Sequence, residues 1–132
     1  MIALDTNVLV RFLVDDEPRQ SRTAREFLER LTGEQPGFVC REVIVELVWV
    51  LERTYGFSRQ RIAEVLDALI ATGELQIESS DDVARAAFQY GRGGAGFSDL
   101  MIAAAAQRAG ARALYTFDRK AAQMPNATLL RP

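Results

Sequence analysis

Short apolar runs alternate with longer stretches of helical periodicity along this chain, and that alternation limits the possible folds more than any other feature. Ile2 to Leu4 leads into Thr6 to Leu13, Phe38 to Cys40 into Glu42 to Thr54, and Leu75 to Ile77 into a helix running to Tyr90. Ala113 to Tyr115 leads into the short helical segment RKAAQM, and a last apolar run lies near Thr128 to Leu130. Pro18 opens a further helix whose positions Ala24, Phe27, Leu28 and Leu31 share a face, and Gly33 stops it. Ser58 is placed to cap another, carrying Ile62, Val65, Leu66, Leu69 and Ile70. Asp81 or Asp82 is placed to cap the helix after the third strand, GRGGAG follows as the most flexible stretch expected in the chain, and Ser98 and Asp99 open LMIAAAAQRAG. Glu42 to Thr54 is apolar on most sides and is predicted to lie buried between other elements. Strands alternating with helices predict an α/β fold: a central parallel sheet of four or five short strands with helices on both faces. At 132 residues and 48% hydrophobic content, the chain suits one domain over 1–132.

Composition matters chiefly for what it excludes. No apolar run reaches the roughly 18 residues of a membrane span, and no basic, apolar and cleavage-site pattern opens the chain. The expectation is a cytoplasmic protein. The net charge of -2 gives no overall pull on nucleic acid, so any such contact must use a local patch. Lys120 is the only lysine among the cations, and the rest are arginines, which suit bidentate phosphate contacts. The chain has no histidine. That removes the usual neutral-pH base, the usual nucleophile triads and the commonest zinc ligand. Cys40, the single cysteine, has no disulfide partner and reads as a small buried thiol. Hydrolytic chemistry here must run on carboxylates and metal.

Ligands of open parallel sheets bind outside the carboxyl ends of the strands, where the winding reverses. Asp5 and Asp118 each follow such an end, and they share one crevice if the first and fourth strands are neighbours. Asp99, at the amino end of a helix, reaches the same rim, and Glu46 enters from one turn into the helix after the second strand. Helix capping explains each aspartate equally well when taken singly. Glu46 is harder to explain, because its neighbours in VIVELVWVL are apolar and Glu42, one turn back, has the same charge. It needs a cation, either an arginine such as Arg53 or a metal. Four carboxylates in one crevice repel unless a divalent ion neutralises them, and Mg2+ suits such oxygen ligands.

These residues sit in segments that resemble the PIN-domain ribonucleases, and among them the VapC-type toxins of toxin-antitoxin pairs. The resemblance runs from ALDTNVLVRFL through CREVIVELVWVLERTYG to FSDLMIAAAAQRAGARALYTFDRKA. It implies a single PIN-like domain whose metal-binding and catalytic carboxylates are Asp5, Glu46, Asp99 and Asp118, supported by Thr6, Asn7 and Thr116. It also implies metal-dependent endoribonuclease activity with Mg2+ or Mn2+ on structured RNA of the tRNA or rRNA class. The partners it implies are a small VapB-like antitoxin and a second copy in a homodimer, with no membrane. Arg92, Arg119 and Lys120, near the expected rim, are candidates for flanking phosphates. One position departs from the pattern: many relatives carry an acid three residues before the FSD aspartate, and here Gly96 stands there.

Other readings divide on single residues. A dehalogenase-like phosphatase resembles DxDxT, but Asn7 occupies the place of its second aspartate. A receiver-like phosphoacceptor needs an acidic pair before its phosphoacceptor strand and a lysine after its last strand, and neither is present. The alternative from another class is an interaction module without catalysis.

Overall fold

Strands of two or three residues are too short to stand alone, so the helices that follow them carry the packing. In the computed structural model, which describes residues 1–132, β1 (Ile2–Ala3) runs into α1 (Thr6–Leu13) and α2 (Pro18–Glu29). β2 (Gly37–Val39) is followed by α3 (Arg41–Arg53) and α4 (Arg59–Ala71). β3 (Leu75–Ile77) leads to α5 (Ser80–Gly91) and α6 (Phe97–Arg108). β4 (Leu114–Thr116), a 3-10 turn at Ala121–Gln123 and β5 (Ala127–Leu129) complete the chain's elements.

The fold is α/β with parallel pairing throughout, as the alternation predicts, but it holds two sheets where one of four or five strands was expected. One has the order β1-β2-β3 and the other consists of β4 and β5. β1 pairs only with β2, through Ile2 and Ala3, and its outer edge is open. β4 pairs only with β5, whose approach is fixed by the turn packed beneath them, where Ala121 and Met124 meet Ala95. The physical reason for the difference is that side-chain periodicity specifies which face of a strand is buried and leaves open which edge finds a neighbour. A cleft of about 640 Å³ is lined by Gln89 of α5, Gln107 of α6 and Asn126, while Leu100 and Ala103 of α6 pack on the same small cluster as Leu114 of β4 and Ala127 of β5.

The main core is built by the helices. Leu9 and Val10 of α1 meet Ile44, Leu47 and Leu51 of α3, Ile62 and Leu66 of α4, and Val83 and Tyr90 of α5. Each of the aliphatic side chains among them contributes roughly 1.5–3 kcal/mol by leaving water. α3 is not buried on all sides: Ile44, Leu47, Val48 and Leu51 face inward, while Glu46 and Trp49 face outward, with Trp49 59% exposed. Ser58 caps α4 as expected, its hydroxyl accepting from the Arg61 N–H. The cap of α5 is a correction. Ser79, in the left-handed region at φ 54°, precedes the helix, and Asp82 lies inside the first turn and is buried.

GRGGAG, glycine-rich and therefore expected to be the freest part of the chain, is held in place. Arg59 at the start of α4 donates to the carbonyls of Tyr90, Gly94 and Ala95 and lies over the Tyr90 ring at 4.5 Å. The glycines supply the turn, Gly93 and Gly94 having φ of 101° and 90°. The result is a fixed entry to α6, the helix that carries Asp99.

Candidate functional site

At the end of β1 the chain turns straight into α1, and Asp5 makes the turn. Its Oδ1 accepts the Thr6 N–H at 2.8 Å, so the capping reading holds for this oxygen while Oδ2 is left without a protein partner. Thr6 is buried, and its hydroxyl donates to Glu46 Oε1 from a position 40 residues away in sequence. The structure therefore joins the Asp5 turn to α3 through Glu46. No arginine pairs with Glu46: the ion pairs of the molecule are Arg11 with Asp16 and three arginines on Asp82. Of the two alternatives for Glu46, the ion pair to an arginine such as Arg53 is not formed. Asn7, in the first turn of α1, is exposed beside this group.

Asp118 and Thr116 form a second local unit at the end of β4. Thr116 Oγ1 accepts the Asp118 N–H at 3.0 Å, and Asp118 Oδ1 accepts the Ala121 N–H at 2.9 Å. Again one carboxylate oxygen closes a turn and the other is free. Asp99 is half-buried in the first turn of α6, whose N-cap is Gly96, so it is not a cap. A β-carbon at Gly96 would stand 3.4 Å from Asp99 Oδ2, which places the missing acid of the family pattern directly beside Asp99.

No three of the four acids stand together as a coordination set for one metal ion. The expectation of one shared crevice depended on β1 and β4 lying side by side, and β4 pairs with β5 alone. Tested by kind, the donor set fits a hard divalent cation: carboxylate oxygens without soft ligands, none paired with an arginine, and with one oxygen uncommitted on each of Asp5, Glu46 and Asp118. Arg119 and Lys120 are exposed in the turn with Asp118 and have no ion pair, while Arg92 ends α5 with its guanidinium 5.4 Å from the Phe88 ring centre.

One carboxylate outside this set was not legible in the sequence. Asp82 accepts from Arg41 of α3, Arg85 of α5 and Arg108 of α6, with Arg41 at 3.1 Å and Arg85 at 2.9 Å. The Arg108 hydrogen bond, with the other two guanidinium groups, holds its carboxyl below the usual range against the cost of burial. Arg41 also donates to the Met101 carbonyl of α6. The cluster binds together the helices that bear Glu46 and Asp99. The three arginines are scattered along the chain, so no local spacing marks them.

Comparison with known proteins places these features in context. The model of the PIN domain family matches residues 2–127. The VapC ribonuclease of Aquifex aeolicus (strain VF5) is 32% identical over 122 residues, an alignment that takes in 91% of this chain and 89% of that protein.

Proposed function

The chain belongs to the PIN-domain family, in its VapC-like branch, and from that premise we propose that it is an endoribonuclease using Asp5, Glu46, Asp99 and Asp118 as its metal-binding and catalytic acids. The observation that carries the reading is the Asp5, Thr6 and Glu46 unit. Two carboxylates distant in sequence are fixed by one buried hydroxyl and its backbone amide, and neither has a cation to neutralise it. Groups held in that way suit a ligand that brings positive charge.

Asp5, Glu46, Asp99 and Asp118 would hold Mg2+ or Mn2+, which when bound lowers the pKa of water and offsets charge at a phosphodiester. The residues of the chain do the positioning. Thr6 fixes the Glu46 carboxylate through Oε1 and leaves Oε2 uncommitted, and the Asp5 turn engages Oδ1 and leaves Oδ2 uncommitted. Thr116 shapes the turn that presents Asp118. Asn7, Arg92, Arg119 and Lys120 are exposed hydrogen-bond donors for the substrate, and structured RNA is the substrate class in this reading. The partners are a small VapB-like antitoxin and a second copy of the chain. Large apolar side chains left in water, among them Phe12, Trp49, Ile102 and Phe117, support a protein partner.

Incubation of the purified protein with a folded RNA tests the reading. Cleavage is expected with Mg2+ or Mn2+, with 5'-phosphate and 3'-hydroxyl ends, and is expected to vanish in EDTA and in Asp5→Asn. Cyclic 2',3'-phosphate ends, or full activity in EDTA, would remove the carboxylate mechanism. Expression alone in a bacterium is expected to arrest growth, Glu46→Gln to be harmless at equal soluble yield, and co-expression of the antitoxin to restore growth.

A further inference from the structure

α2 carries more positive charge than its own folding explains. Arg19 lies in its first turn, where the helix dipole disfavours a cation, and the nearest acid at that end is the N-cap, Glu17. Arg19 also has no ion pair. With Arg11 of α1 and Arg30 at the end of α2, it lines a groove of about 540 Å³ between the two helices. Ala24 and Phe27 are part of its wall, no carboxylate belongs to its lining, and it reaches Asn7, two residues from Asp5. Glu26 and Glu29 of α2 lie outside the groove. Arg11 is already held by Asp16, Gln20 and Tyr55, and Arg30 lies 5.6 Å from the Phe27 ring centre. Arg19 and Arg30, eleven positions apart on the helix, stand roughly 16 Å from one another along its axis.

We propose that the groove between α1 and α2 is a track for the sugar-phosphate backbone of single-stranded RNA, with Arg19 and Arg30 as its phosphate contacts. The inference rests on the ribonuclease reading and extends it to a binding surface that begins beside the Asp5 turn and runs along α2. A net charge of -2 leaves the molecule little general attraction for RNA, so a groove with two arginines outside any ion pair and no carboxylate in its lining is what a strand leaving the Asp5 turn requires. Contacts of this kind set the position of the strand and carry no base preference.

Anisotropy of a short fluorescent single-stranded RNA, in EDTA and across a salt series, tests it. Replacing both residues, Arg19→Gln with Arg30→Gln, is expected to weaken binding about tenfold at low salt, as two charge-assisted contacts are lost. The slope of log affinity against log salt is expected to fall in magnitude by about 1.4, which is 0.7 for each contact. Arg112→Gln, at the opposite end of β4 from Asp118, is the control and is expected to bind as the wild type does. Arg19→Glu alone is expected to weaken binding as well, and it decides the matter if the double variant does not fold. Unchanged affinity and slope in the groove variants, or an equal loss in Arg112→Gln, would overturn the inference. So would RNA binding that is intact while the variants lose an acidic Glu/Leu peptide that the wild type holds, because the groove would then serve a protein partner. Failure of the wild type to cleave any RNA with Mn2+ is a separate result and counts against the ribonuclease reading itself.

Discussion

The hydroxyl of Thr6 fixes what Glu46 presents to the site. Thr6 is buried beside an exposed carboxylate, so its one donated hydrogen bond orients an otherwise mobile side chain. Thr6→Val keeps the shape and removes the donor. RNA cleavage and Mn2+ affinity are expected to fall about tenfold or more, the range for partners that orient metal ligands, while circular dichroism is unchanged. Full activity in this variant would remove Thr6 from the site. Glu46 stands out in the sequence, because a lone carboxylate in an apolar run such as VIVELVWVL demands an explanation, and the folded chain supplies the Thr6 hydroxyl as its partner. Asp82 does not, because its explanation is three arginines that only the folded chain assembles.

Among the elements, the strands and their following helices were legible from periodicity, and several boundaries agree closely, including those of β3 and α1. Order within the sheet was not. Both β1 and β4 have an unpaired edge, and unpaired edges of parallel strands are surfaces on which a further strand can pair. In the metal-binding reading Asp118 has to approach Asp5, which brings β4 toward that side of β1. Addition of Mn2+ is therefore expected to slow hydrogen exchange at Tyr115 and Phe117. Exchange unaltered at saturating Mn2+, as judged by calorimetry, would mean that Asp118 takes no part in binding. The glycine loop before α6 is an instructive miss of another kind. Its composition predicted freedom, and a single guanidinium removes that freedom by satisfying three carbonyls at once.

For the whole molecule, the titration of two buried groups bounds the pH range of stability. The Asp82 carboxyl is held below its ordinary value of about 3.9, so its contribution is complete above that pH and is lost as pH falls below it. The Tyr90 phenol, buried and hydrogen-bonded to Glu52, is pushed above its ordinary value of about 10. Its contribution is complete below that pH and is lost as pH rises beyond it. Urea midpoints measured against pH are expected to fall at both limits, and Asp82→Asn to lower the midpoint near neutrality and flatten the acid limb. An acid limb as steep in Asp82→Asn as in the wild type would assign acid unfolding to other carboxylates. α/β architecture was legible at this scale because it follows from alternation alone.

Trp49 is the only tryptophan of the chain, it stands largely in water on the outer face of α3, and it lies three residues beyond Glu46 on that helix. The molecule thus contains its own optical probe at the edge of the candidate site. Because the indole is already wet in the folded state, its emission wavelength is expected to shift little on unfolding. What enters or covers that face of α3 changes its surroundings directly, so its fluorescence follows occupancy better than it follows denaturation.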